Sequence, residues 1–217
     1  MPPIMRGPDD GRGETPMKLF YTPNSPYARK TRLMLRWTGL IATVPEEDVT
    51  PLRDPNCVLL QYGPTRKVPS LLTDSGRLLT ESAIIMWYLN EAPGATSLVP
   101  SDPAKLEIML EIEGLVTGLQ DSLYWRNHAK RLPDGERSPS FIEGEAERAQ
   151  RCYDALEARV ADLEGPLDMA QLSTAVALAY ASFRHGEDNW EQGRPKLAAW
   201  FKPMTKRDGW DETIPPG

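Results

Sequence analysis

The sequence predicts an α/β domain of βαβ-ββα order followed by an all-helical domain. Short strand-like runs alternate with helical ones from Met17 to about Pro93. A hairpin pattern, "VPSLLTDSGRLLTES", lies inside that half. After a Pro/Gly-rich break only the helical period remains. On this reading residues 1–16 form a disordered leader, 17–93 the α/β domain, 94–102 a linker and 103–217 the helical domain. The 217 residues suffice for a packed core.

Taken in order, "KLFYT" reads as a buried strand. The next segment places Tyr27, Ala28, Thr31, Met34 and Leu35 on one helical face and Arg29, Lys30, Arg32 and Arg36 on the other, ending near Gly39. "IATVPEEDV" is a strand only at a sheet edge, because Pro45 has no N–H for a ladder. The runs Pro69–Leu72 and Arg77–Leu79, joined through Asp74, Ser75 and Gly76, form the hairpin. A helix begins near Ser82 with Ile84, Ile85, Tyr88 and Leu89 inward. Beyond the linker, Asp102 and Pro103 supply an N-cap and an N1 proline. Ile108, Ile112, Leu115, Leu119 and Leu123 stripe the helix that follows, and Ala149, Tyr153, Leu156, Val160 and Leu163 the next. Asp168 and Gln171 have capping-box spacing before Leu172, Ala175, Val176, Ala179 and Phe183. A last helix from Pro195 carries Leu197, Trp200, Phe201 and Met204.

The net charge of -6 argues against nucleic acid or an anionic membrane surface as partner, since both require a basic field. No apolar run reaches the length of a membrane span, and the N-terminus lacks the apolar core of a secretory signal, so a cytoplasmic protein is expected. Cys57 and Cys152 stand far apart without CxxC or paired histidines, which points to a reducing compartment and to no metal site. His128 and His185 have no ligand spacing and read as surface or helix-end residues.

Three places carry candidate chemistry. Ser25 precedes a helix that starts with Pro26, where a hydroxyl is either an N-cap or a group presented to a ligand at the helix N-terminus. The Val68–Pro69 bond is either an ordinary trans start to a strand, or a cis bond that turns the Val68 backbone toward an extended ligand. Glu81 and Ser82 open the following helix, as a cap with a favourable dipole charge or as a seat for a zwitterion.

The order of "YTPNSPYARKTRLML", "RKVPSLLTDSGRLLTESAIIMWYLNEAPG", "PLDMAQLSTAVALAYASF" and "RPKLAAWF" resembles the cytosolic glutathione S-transferases, from Met17 to about Trp210. The VP…ES block is similar to that of omega, zeta and theta-like members. The resemblance implies a thioredoxin-like N-terminal domain, a helical C-terminal domain, a homodimer and glutathione as co-substrate, with no metal. It assigns Val68 to backbone pairing with the cysteinyl part of glutathione, Pro69 as the cis proline, and Glu81 and Ser82 to the γ-glutamyl amine and carboxylate. Arg53 or Lys67 would meet the glycyl carboxylate. Ser25 matches the catalytic position of serine and cysteine classes, and Tyr21 stands where tyrosine classes place their phenol.

The reaction implied is attack of the glutathione thiolate on a small electrophile, in the service of detoxification. Lowering a thiol pKa of about 8.5 by two units takes roughly 2.7 kcal/mol. A helix N-terminus gives up to about 1 kcal/mol, and a hydrogen bond to the charged sulfur about 1.5–3 kcal/mol. Ser25 is preferred to Tyr21 because hydroxyl and helix dipole then act on one sulfur. A serine there also argues against thiol-transferase chemistry, which needs a protein thiolate. The electrophile's pocket is expected between the domains, with Tyr124, Trp125 and Asn127 as lining and Arg126, Lys130 and Arg131 as a basic rim. The alternatives are a non-catalytic binding or scaffold protein of the same fold, and a glutathione-dependent isomerase or dehalogenase.

Overall fold

The computed structural model describes residues 16–216. All but the last residue of the expected leader therefore lies outside the described residues. The chain divides into two compact units. One takes the chain up to Leu98 together with the segment from Asp208 onward, and the other spans Val99–Arg207. The expected helical domain ran to the C-terminus. Residues 208–216 instead return to the first unit, for reasons of charge and packing given below.

The first unit is built on a four-stranded sheet in the order β2-β1-β3-β4. The strands are β1 (Lys18–Tyr21), β2 (Glu46–Asp48), β3 (Ser70–Leu72) and β4 (Leu78–Thr80). β2 lies at an edge parallel to β1, as Pro45 demands, and Leu19 N–H reaches the Pro45 carbonyl at 2.9 Å. β3 runs antiparallel to both neighbours. Alternation along β1 sends Phe20 into a cluster with Val49, Cys57, Leu59 and Leu72. Leu19 and Tyr21 take the opposite face. The helices are α1 (Pro26–Trp37) and α2 (Ser82–Asn90). α2 buries Ile85, Met86 and Leu89, but Ile84 is 56% exposed. The inward stripe is therefore rotated by one residue from the expected one.

The cationic face of α1 is not solvated. Arg29, Lys30 and Arg32 are all buried, and β2 and the C-terminal segment supply partners for Arg29 and Arg32. Glu46 bridges Arg32 at 3.1 Å and Arg36 at 2.9 Å. Burial opposes ionisation of Glu46, yet the two guanidinium groups outweigh it and hold its pKa below the ordinary value. Arg36 also pairs with Glu212 at 2.9 Å, and Trp37 Nε1 donates to the Asp208 carbonyl at 2.9 Å. The Arg29 guanidinium lies 4.3 Å from the centre of the Trp210 ring and donates to Thr213 Oγ1 at 3.2 Å. Burial, followed by the charge of Arg32, pushes the Arg29 pKa down to about 10, still cationic at neutral pH. Gly209, at φ +77, sits against the Arg36 stem, where any Cβ would collide.

The second unit is helical: α3 (Pro103–Lys130), α4 (Pro139–Ala158), α5 (Met169–Arg184) and α6 (Pro195–Met204). α3 packs on both α4 and α5. Its cap is as expected, with Asp102 accepting from Ala104 N–H at 2.9 Å. Its buried stripe is Met109, Ile112, Val116, Leu119 and Leu123, so Ile108 is left at the surface. Asp168 caps α5 by accepting from Gln171 N–H at 2.8 Å. The Gln171 side chain turns instead to the Pro166 carbonyl, so the capping box is half made. α6 has no side-chain cap of its own, and Glu157 of α4 accepts from its Leu197 N–H at 2.7 Å.

Two expectations in this unit are settled or corrected. His185 is a helix-end residue, the C-cap of α5, but it is wholly buried and not at the surface, with Nε2 against the Leu123 carbonyl at 2.9 Å and Nδ1 accepting from Arg126 Nε at 3.2 Å. Arg126 belongs to no rim. It is 1% exposed and paired with Asp188 at 2.5 Å, while Lys130 is engaged by Glu187. These carboxylates follow α5 in a short turn, where the helical period gives no hint of them.

Candidate functional site

The strand register determines which candidate residues meet. Phe20 of β1 pairs with Ser70 of β3, and Ser70 pairs with Thr80 of β4. The exit of β1, the entry of β3 and the exit of β4 therefore share one end of the sheet. At a strand spacing of about 4.8 Å, the outer two lie about 10 Å apart. Tyr21 and Ser25 follow from the first strand, Val68 and Pro69 lead into the second, and Glu81 and Ser82 follow the third. The N-termini of α1 and α2 open at this same end, so their partial positive charges gather there.

Ser25 is the N-cap of α1, with φ -82 and ψ 118. Its Oγ accepts from Ala28 N–H at 3.2 Å, and its own N–H donates to the Thr22 carbonyl at 3.1 Å. The cap uses one lone pair of the hydroxyl and leaves its O–H as a donor. Tyr21 ends β1 half-buried, with the Arg32 guanidinium 4.0 Å from its ring centre. That cation is itself anchored by Glu46 and by the Glu212 carbonyl at 3.3 Å. The ring thus stacks beneath Arg32, seven residues beyond the Ser25 cap.

The Val68–Pro69 peptide bond is cis, and β3 starts only at Ser70, so Val68 precedes the ladder at the sheet end. Glu81 stands at φ +71 as N-cap residue of α2 and is exposed, whereas Ser82 is buried. Lys67 Nζ lies 3.1 Å from Glu81 Oε1, a contact the sequence pattern does not announce because fourteen residues separate the two. Arg53 is exposed on the segment after β2, and its carbonyl accepts weakly from Arg66 at 3.5 Å. The remaining candidates stand on α3 in the other unit. Tyr124 and Asn127 share a face, with Asn127 Nδ2 donating to Tyr180 Oη at 3.4 Å. Trp125 diverges from them. It is 51% exposed and edge-on to both Tyr124 and His128. Among the described residues no group of three or more His, Cys, Asp or Glu side chains could hold a metal, and no helix is long and apolar enough to cross a membrane.

Comparison with known proteins agrees with this architecture. A family model for the glutathione S-transferase N-terminal domain matches residues 24–92, and one for the C-terminal domain matches residues 139–202. A glutathione transferase family member from Pseudomonas fluorescens, solved with bound glutathione, superposes with a TM-score of 0.85 at 30% identity, covering 93% of this chain and 100% of that one. A glutathione S-transferase from Methylobacillus flagellatus, also with glutathione bound, gives 0.84 at 27% identity over 92% and 100% of the two chains. The uncharacterized GST-like protein YibF of Escherichia coli is 29% identical over 203 residues, 92% of this chain and 99% of that one. With a mixed four-stranded sheet and helical second unit of the same kind, the chain belongs to the glutathione S-transferase superfamily.

Proposed function

We propose that the chain is a glutathione transferase, which binds glutathione at the shared end of the sheet and conjugates it to a small electrophile. The observation that carries this is the Phe20–Ser70–Thr80 register, which gathers an N-cap hydroxyl, a cis-proline backbone edge and an acidic helix start within the span of a tripeptide. The Val68 backbone pairs with the cysteinyl residue as an added strand would. The Glu81 carboxylate takes the ligand ammonium, and Ser82 with the first turn of α2 takes its α-carboxylate. Arg53 and Lys67 supply the cationic side. The thiol proton leaves to solvent, and Ser25 Oγ–H donates to the sulfur that remains. The thiolate then forms the S–C bond while the electrophile's leaving group departs with its electron pair. A homodimeric, cytoplasmic, detoxifying enzyme is the form this proposal takes.

Ser25 is assigned the sulfur because its O–H stays available at the α1 N-terminus. Tyr21 is stacked under Arg32. The test is calorimetric titration with glutathione, followed by conjugation of chlorodinitrobenzene. Ser25→Ala should lower kcat/KM about 10- to 100-fold, the worth of one hydrogen bond to a charged group. Tyr21→Phe should stay near wild type. Absence of binding, or full activity in Ser25→Ala with loss in Tyr21→Phe, would overturn the assignment.

A further inference from the structure

The second unit carries a cavity of about 400 Å³ where the end of α4, the turn Val160–Leu163 and α6 meet. That volume lies within the range of small-molecule sites, roughly 300–1,000 Å³. Its origin is a mismatch in side-chain size. Ala158, Ala161 and Ala199 are short where the Trp200 indole is large, so the elements meet without filling the space between them. Trp200 Nε1 donates to the Leu163 carbonyl at 2.9 Å, which fixes the ring and uses its one donor. What the indole offers a ligand is therefore apolar and π surface alone.

The charged groups around the cavity select the sign of that ligand. Glu157, Glu164 and Lys196 line it, two carboxylates against one ammonium. Glu157 is already engaged at the start of α6, accepting from Lys196 N–H at 3.3 Å and from Leu197 N–H at 2.7 Å. Glu164 and Lys196 are exposed, and neither is held in an ion pair among the described residues. An organic acid would gain Lys196 but face both carboxylates. An organic amine gains Glu164 and the electron-rich indole, and the net negative lining favours it.

We propose that this cavity is a binding site for a small organic ammonium with an apolar body, of the arylalkylamine class. The apolar part lies against Trp200, Val160 and the three alanines, while Glu164 holds the ammonium at the mouth. The site is built from the second unit alone and shares no residue with the glutathione site proposed above. It therefore stands or falls independently of the transferase reading.

The experiment titrates the protein with phenethylamine and with phenylpropionate, which carry opposite charges on the same phenyl body. Binding is read by calorimetry and by the indole N–H resonances, that of Trp200 being assigned through Trp200→Phe. The amine should bind saturably, about tenfold tighter than the acid, and shift the Trp200 resonance. Ala199→Leu, which fills the cavity from an exposed position on α6, should abolish binding, and Ala161→Leu on the turn should do the same. Glu164→Gln should weaken the amine about two- to fivefold and narrow its preference over the acid. Equal or tighter binding of the acid would overturn the assigned charge. No saturable binding of the amine, or amine binding that both leucine variants leave intact, would overturn the site itself.

Discussion

Ser25 shows how one side chain can serve two ends. As an N-cap it accepts a backbone N–H, and its O–H is still directed by whatever acceptor stands at the helix start. His185 offers a different residue-scale consequence, because its Nδ1 must remain an acceptor for Arg126. Burial, opposed by the Leu123 carbonyl, depresses its pKa below the ordinary 6.5. The unfolded chain then takes up a proton that the native state refuses. Stability from this group is complete above the unfolded pKa and is lost as pH falls toward the depressed native value. Urea unfolding at neutral pH and at about pH 5 should show this loss, and His185→Gln, which can donate to Leu123 and accept from Arg126, should lessen it. An unchanged pH dependence in that variant would count against the neutral imidazole.

At the scale of elements, the caps explain where the helices begin, and α5 gives the sharpest test. Burial raises the Asp168 pKa against the lowering effect of the Gln171 and Ala170 N–H groups, so its charge is held at some cost. Asp168→Ala should destabilise by about 1 kcal/mol through loss of the cap, whereas Asp168→Asn should be neutral or mildly stabilising. Equal losses in both variants, measured by urea unfolding, would show that the charge and not the cap matters. α1 and α3 show what periodicity resolves. Leu119 and Leu123 sit inward as expected, but the stripe shifts to Met109 and Val116 once α4 and α5 choose its facing side. The basic row of α1 looks like a solvated face until its acidic partners, 10 to 176 residues away, are in place.

At the scale of the whole chain, the segment from Asp208 onward straps the first unit. Trp210 is buried against Arg29, Glu212 pairs with Arg36, and Thr213 is wholly buried. Trp210→Ala should cost about 3–5 kcal/mol, the range for emptying a large aromatic site. Truncation after Arg207 should cost at least as much, since it also strips partners from buried guanidinium groups. Both would be read from thermal denaturation, and a truncated chain that melts with the wild type would refute the strap. The acidic, aromatic composition of "GWDETIP" is the signal that could have announced it, as the complement of the α1 cations.

The sequence by itself determined the strand and helix order, the caps at Asp102 and Asp168, the edge position of β2 and the three candidate clusters. All of these depend on neighbours a few residues apart, through hydrogen-bond periods, turn chemistry and proline geometry. Only the tertiary structure decided that Arg29, Arg32, Arg126 and His185 are interior, that Tyr21 lies under Arg32, and that Lys67 reaches Glu81. Charges do not reveal their partners in a periodic pattern. A buried cation is tolerated only where distant segments bring carboxylates, carbonyls and rings to it, and that is settled when the chain closes on itself.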